Sequence, residues 1–472
     1  MTGTITSTTV LSPSAVQGFA STIKGDVVQP GDSGYDNARR VFNAMIDRYP
    51  KLIAYCTDQS DVIAAIEFAR DQKLPVAVRG GGHNGPGLGV VDGGLVIDLS
   101  RMNDVQVDPV KRTARVGGGA IWSQVDAATH AHGLATPSGI IASTGVGGLT
   151  LGGGLGHLTR KFGLSIDNLV EVDMVLADGR AVTANASEFP DLFWAIRGGG
   201  GNFGVVTAFT FRLHPIDTVY AGPMLWPMEK ADEIMRWYRD FLPQAQDDLN
   251  GFFAFLIVPP GPPFPEELHS EKMCGIVWCY TGPLDQAESV FAPIRTRFGA
   301  PALDWVGPIP HPALQGMFDP LYPSGHHWYW KADFFNELTD EAITRHVKYG
   351  KELPTAGPGT STMHLYPIDG AAGRVPKDAT AWNYRDAKWA EVIVGVNADP
   401  ADSAATTEWA KTYWSALHPY SAGGAYINMM MEEGDQRIRA TYGSNYDRLS
   451  RIKAKYDPSN FFRSNQNILP KA

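Results

Sequence analysis

Two rhythms of apolar and polar residues alternate along this chain. Apolar positions recur three and four apart over 36–48, 61–72, 121–132, 228–241 and 340–353, the spacing of helices with one buried face. Short apolar or period-two runs bounded by turn residues cover 95–99, 113–116, 171–176, 180–184, 252–258, 273–280, 364–367 and 392–397, and read as strands. Ser60 suits an N-cap for the second helix, and Pro190 opens a short helix running to Arg197. Helices and strands fall in separate groups, without a strict strand–helix repeat, which predicts an α+β protein.

One stretch breaks both rhythms. Residues 75–84 form an apolar strand running into Arg79, Gly80, Gly81, Gly82, His83 and Asn84. Glycines let backbone N–H groups approach an anion, and an arginine adds fixed charge. Gly80-x-Gly82-x-x-Gly85 matches the dinucleotide fingerprint in form, but that fingerprint needs a helix next, and residues 86–100 read as turn plus strand. Gly199-x-Gly201-x-x-Gly204 likewise leads into a strand pattern at Val205 and Val206. The Rossmann reading is therefore rejected and a phosphate cradle retained. A further glycine run, 145–156, reads either as tight turns or as a loop lining a cofactor, and its length and apolar character favour the loop.

Composition narrows the possibilities. A chain of 472 residues suits two or three domains, and its 51 glycines cluster between 80 and 204. The net charge of −10 and the lack of a basic stripe exclude nucleic acid as an expected partner. No apolar run reaches the ~18 residues of a membrane span. Residues 1–13 are rich in Ser and Thr and read as a frayed tail. Three scattered cysteines, Cys56, Cys274 and Cys279, predict packed thiols in a reducing, cytoplasmic setting. His326-His327 lacks spaced acidic or thiol partners, so no metal site is expected.

Four motifs occur in order over nearly the whole chain: Arg79-Gly80-Gly81-Gly82-His83; Gly145-Val146-Gly147-Gly148 with Gly152-Gly153-Gly154; the run from Asp191 to Val206; and a C-terminal signature from Tyr442 to Ile468. With these motifs the chain resembles the vanillyl-alcohol-oxidase (PCMH-type) flavoprotein superfamily and, within it, the berberine-bridge-enzyme-like branch. The resemblance implies a PCMH-type FAD-binding domain of two α+β subdomains plus a substrate domain with an antiparallel sheet covered by helices. The implied divisions are a flexible tail (1–15), the FAD domain (16–215), the substrate domain (216–425) and a C-terminal segment (426–472) that returns to the FAD domain.

The resemblance also assigns residues. His83 matches the histidine that bonds the flavin 8α-methyl, and Arg79, Gly80, Gly81, Gly82 and Asn84 would hold the diphosphate. Thr144, Gly145, Gly147, Gly148 and Gly152 belong to the second cofactor loop, Gly204 and Val206 to the third, and Asn465 and Asn467 to the C-terminal signature. Branch members with a second, cysteinyl tether carry it where this chain has Ile141, so a single histidyl–FAD link is expected. Thr144 falls beside the flavin edge, where a small residue admits dioxygen or merely packs.

Tyr426, in a Tyr-x-Asn motif, is a candidate base or else a hydrogen-bonded core tyrosine. A phenol acts as a base only if its ordinary pKa near ~10 is lowered. Glu391 is an alternative base or a surface charge at a strand edge. His364 and Tyr366 alternate on one strand and so share a face. The implied function is an FAD-dependent oxidase of a small organic substrate, taking hydride from an alcohol, a hemiacetal or an activated C–H or C–N bond and giving hydrogen peroxide from dioxygen. The alternatives are a dehydrogenase with another acceptor and a flavin-binding protein without turnover. A monomer or homodimer is expected.

Overall fold

The computed structural model describes residues 10–355 and 361–471. Three large sheets and a two-stranded pairing of Leu134–Ala135 with His214–Pro215 organise these residues. In the first, Leu52–Tyr55, Leu95–Asp98 and Val76–Arg79 run parallel, with Val27–Val28 antiparallel at one edge. Helix Gln59–Asp71 crosses over it and buries Val62, Ala65, Ile66 and Ala69 against Leu52, Val76 and Ile97. Its cap is Asp58, whose carboxylate accepts from the N–H groups of Ser60 and Asp61, so the expected cap at Ser60 shifts by two residues.

The second sheet is antiparallel, in the order Val105–Asp108, Thr113–Gly117, Val205–Arg212, Leu169–Val175 and Ala181–Asn185. The third is a large antiparallel sheet. Its main path runs Leu303–Asp304, Thr218–Pro227, Lys272–Tyr280, Leu249–Ile257, Thr362–Pro367, Trp389–Asn397 and His327–Phe335. Its two faces are covered differently. Ile393 and Leu365 meet Ile343, Tyr413 and Tyr238 of helices Asp340–Lys351, Ser403–Leu417 and Ala231–Phe241, while Val392, Val394 and Tyr366 face Leu155, Ile140 and Tyr426. Period-two alternation along each strand produces this division.

Three expectations are corrected. Only Tyr35–Ala38 of the 36–48 helix forms, because the buried Asn43 amide donates to the carbonyls of Gly85 and Trp328 and draws this segment across the glycine loop. The N-terminal tail expected through residue 15 gives way earlier to helix Pro13–Thr22, capped by Ser12 Oγ; residues 1–9 lie outside the described residues. The 145–156 run, expected as a cofactor loop, contains a helix at Val146–Leu151.

The C-terminal helices Asp435–Tyr442 and Tyr446–Tyr456 pack on the second sheet's core beside Phe193 and Trp194. Lys453 locks them there. Buried Nζ donates to Asp457 at 2.6 Å and to the carbonyls of Asn202 and Phe462 at 2.6 and 2.8 Å. That set satisfies all three ammonium hydrogens and ties the C-terminal segment to the third glycine loop.

Candidate active site

Strand Val76–Arg79 ends beside Asp98, its register partner on Leu95–Asp98, and the Arg79 guanidinium pairs with the Asp98 carboxylate. Both side chains are buried, so the charge expected to face a phosphate is already neutralised inside the fold. Beyond the strand the chain presents backbone. Gly82 takes a left-handed φ of +71° and its carbonyl accepts from Phe42 N–H at 3.1 Å. Asn84 closes the loop, its Oδ1 accepting from Leu88 N–H at 2.9 Å.

The second glycine loop lies directly against the first. A Cβ on Gly81 would sit 2.5 Å from the Gly145 nitrogen, so this crossing requires glycine. Gly148 and Gly201 differ: a Cβ on either would meet no atom within 4 Å. Their missing side chains leave room in a cavity that these loops line together with the C-terminal Asn465 and Gln466. Asn465 donates to the carbonyls of Gly201 and Phe462, while its buried Oδ1 has no partner. A cradle of glycine backbone with an unpaired amide oxygen at its end fits a dinucleotide such as FAD.

Most of the expected residues meet at this cavity. Arg79, Gly80, Gly81, Gly82, His83 and Asn84 lie on one part of its wall, and Thr144, Gly145, Gly147 and Gly148 on the next. Gly204, Val206, Asn465 and Tyr426 complete that set. His83 stacks on Phe42 with ring centroids 4.3 Å apart and hydrogen-bonds the main chain of Ser143. Burial pulls its imidazole down to about 4, so the ring is neutral at pH 7. Ile141 lines the cavity, and the buried thiols of Cys56, Cys274 and Cys279 do not.

Three assignments change, and of the two readings of Tyr426 the hydrogen-bonded one fits its surroundings better. Gly152 caps helix Val146–Leu151 and abuts the Asn428 side chain, off the cavity wall, and Asn467 also lies off it. Glu391 is neither a base in the cavity nor a surface charge. It sits inside strand Trp389–Asn397 on the helix face, wholly buried, 3.4 Å from His346 Nδ1. Burial, then the neighbouring Asp333, raises its carboxyl well above the ordinary range. Tyr426 does face the cavity, but its environment opposes the role of base. Burial pushes its phenol up to about 12, although Gly154 N–H at 3.0 Å and the Asn428 amide at 2.8 Å both donate to its oxygen. Burial outweighs those two donors, so Tyr426 keeps its own hydrogen and can donate it.

Sequence reasoning missed Phe42 and Trp330, which line the wall with Tyr322, Val392, Val394 and Met429; strand His327–Phe335, which supplies Trp330, follows a stretch rich in proline and aromatic residues. His364 and Tyr366 do share the cavity face, and Tyr322 joins them through His364.

The comparisons agree with this geometry. Residues 50–185 match a family model described as an FAD binding domain, and residues 425–469 match one described as berberine and berberine like. A Bacillus subtilis FAD-linked oxidoreductase, YgaK, is 32% identical over 95% of this chain and 97% of its own length. The chain belongs to the berberine-bridge-like family of FAD-linked oxidoreductases. Another member, the (R)-6-hydroxynicotine oxidase of Paenarthrobacter nicotinovorans, is 29% identical over 95% of this chain and 97% of its own. The solved 6-hydroxy-D-nicotine oxidase of Arthrobacter nicotinovorans superposes with a TM-score of 0.84 at 26% identity, covering 95% of this chain and 98% of that one. The protein is thus an FAD-linked oxidoreductase of α+β fold, and the Rossmann alternative is excluded by the strand after each glycine match.

Proposed function

We propose that this chain is a cytoplasmic oxidase that holds FAD through a single covalent bond to His83 and oxidises an uncharged, largely apolar small molecule at a C–OH or C–N bond. The observation that carries the reading is His83 itself: a neutral imidazole stacked in the wall of a glycine-lined cavity, with Ile141 in place of a second tether. When bound, FAD supplies the hydride acceptor and the route to dioxygen, with hydrogen peroxide as product.

The chain's own residues supply position and polarity. The glycine loops and Asn465 would hold the dinucleotide, and Phe42 fixes the ring plane of His83. Among the described lining residues Arg79 is the one charged side chain, and Asp98 neutralises it, so the cavity offers an ionic substrate no counter-charge. Tyr426 Oη, held by Gly154 and Asn428, donates a hydrogen bond toward the bound substrate, which fixes its orientation. Thr144 keeps its part of the wall small, which suits access by dioxygen.

The test needs no substrate. Holoenzyme reduced with light and a sacrificial donor under nitrogen is mixed with air-saturated buffer. Rapid return of the oxidised flavin spectrum with one equivalent of peroxide is expected. A flavin that stays reduced for minutes would exclude an oxidase and favour a dehydrogenase using another acceptor.

A further inference from the structure

Three polar side chains stand in series on the cavity wall, two of them on the large sheet. Tyr366 Oη lies 2.7 Å from His364 Nδ1, and Tyr322 Oη lies 3.2 Å from His364 Nε2. His364 and Tyr366 share a face of strand Thr362–Pro367, and Tyr322 comes directly after the Asp319–Leu321 turn. The rings are held in place by their neighbours. Phe252 lies 4.9 Å from His364 and 5.0 Å from Tyr366, and Trp328 stacks on Tyr322 at 5.6 Å and 14°.

Counting hydrogens defines what this series can bind. Burial keeps the His364 imidazole neutral, with one N–H and one lone pair. If Tyr366 donates to Nδ1, then Nε2–H donates to Tyr322; the Tyr322 hydrogen is left free, and the Tyr366 oxygen is left to accept. In the other tautomer the two ends exchange roles. Either way the series presents one donor and one acceptor and no net charge. Around it the wall is apolar at Phe42, Trp330, Val392, Val394 and Met429, with the uncharged Tyr426 hydroxyl as a further polar group.

We propose that the Tyr322–His364–Tyr366 series is the recognition site for one uncharged hydroxyl group on an aromatic or similarly apolar ligand, and that it discriminates against carboxylates and ammonium groups at the same position. A hydroxyl is itself donor and acceptor and satisfies both ends. A carboxylate has no hydrogen for the accepting end, an ammonium has no lone pair for the donating end, and neither finds a counter-charge. Naming this ligand as the substrate rests on the oxidase reading; its binding does not depend on turnover.

Phenol separates the two questions, because its hydroxyl-bearing carbon has no hydrogen to lose as hydride. Oxidised holoenzyme is titrated with phenol, toluene, benzoate and benzylammonium, and binding is read from the change in the flavin absorption spectrum. Phenol is expected to bind about 10- to 100-fold more tightly than the other three, the range set by leaving one buried polar group unpaired. The double variant Tyr322→Phe/Tyr366→Phe, which removes both ends of the series, is expected to bring phenol within about twofold of toluene, with toluene still bound as the sign of an intact fold; Tyr322→Phe alone should lose part of the preference. Phenol binding no better than toluene, benzoate binding as well as phenol, or a phenol preference retained in both variants would overturn the proposal. Loss of oxygen reactivity with the phenol preference intact would count against the oxidase reading alone.

Discussion

The two walls of the cavity are built on opposite principles. One is made of what is missing: Gly80 to Gly82, Gly145 to Gly148 and Gly200 to Gly204 expose backbone, and some of them leave open space where a Cβ would sit. The other is made of side chains projected from the large sheet, His364, Tyr366, Val392, Val394 and Trp330, with Tyr322 and Tyr426 beside them. A backbone wall suits a ligand common to a whole family, because main-chain N–H groups do not change with sequence. A side-chain wall can vary residue by residue, and the choice of substrate resides there.

The largest effect should come from filling the backbone wall. Gly81→Val places a branched side chain where the second loop crosses, 2.5 Å from the Gly145 nitrogen for the first carbon alone. We expect a loss of about 2 kcal/mol or more in stability and protein purified without flavin, read from thermal melting and the flavin-to-protein absorbance ratio. A stable, flavin-loaded variant would mean that the two loops need not touch.

On the side-chain wall, Tyr426→Phe removes the acceptor shared by Gly154 N–H and the Asn428 amide. One buried and one half-buried donor lose their partner, so a cost of about 1–3 kcal/mol is expected in chemical denaturation. Substrate-driven flavin reduction should slow without the alkaline limb of its pH profile disappearing. Loss of that limb would restore Tyr426 as the base.

Behind the sheet, His346 is buried and held down to about 3, below the ordinary 6.5. The unfolded chain therefore binds a proton that the folded chain refuses, and stability falls as pH drops from 6.5 toward 3. His346→Gln should flatten that fall by about 1.4 kcal/mol per pH unit, measured as denaturation free energy between about pH 6.5 and 4.5. An unchanged slope would mean that His346 takes up its proton in the native state.

The smallest effect is expected from the neighbour of a cavity residue. Glu391→Gln replaces a carboxyl held neutral by burial with a neutral group of the same shape, on the far face of the strand that presents Val392. Flavin reduction should be unchanged and stability altered by less than about 1 kcal/mol. A large drop in reduction rate would bring Glu391 back into the chemistry.

The difference between the walls also explains what is legible in the sequence. Glycine runs are rare outside backbone-lined loops, so Arg79 to Asn84 and Thr144 to Gly148 stand out, and a strand after each glycine match is enough to reject a Rossmann helix. The identity of the side-chain wall depends on which face of a strand points where. In Trp389–Asn397 every position is buried, so alternation of polarity carries no signal, and Glu391 cannot be told from Val392. Strand His327–Phe335 is hidden for a similar reason, because its tryptophans come after a run of prolines and glycines that reads as loop. Tyr322, 42 residues from His364 in sequence, joins the site only through the fold. The charge on Arg79 is visible in the sequence, but its neutralisation by Asp98 depends on the pairing of two parallel strands.

The central claim is that the backbone wall carries its cofactor on His83 alone. Acid precipitation of the purified holoenzyme and then peptide mass mapping test it directly. Flavin is expected to stay in the pellet, with the mass of FAD on the peptide containing His83. Flavin released to the supernatant, or added mass on a peptide containing Cys56, Cys274 or Cys279, would contradict it.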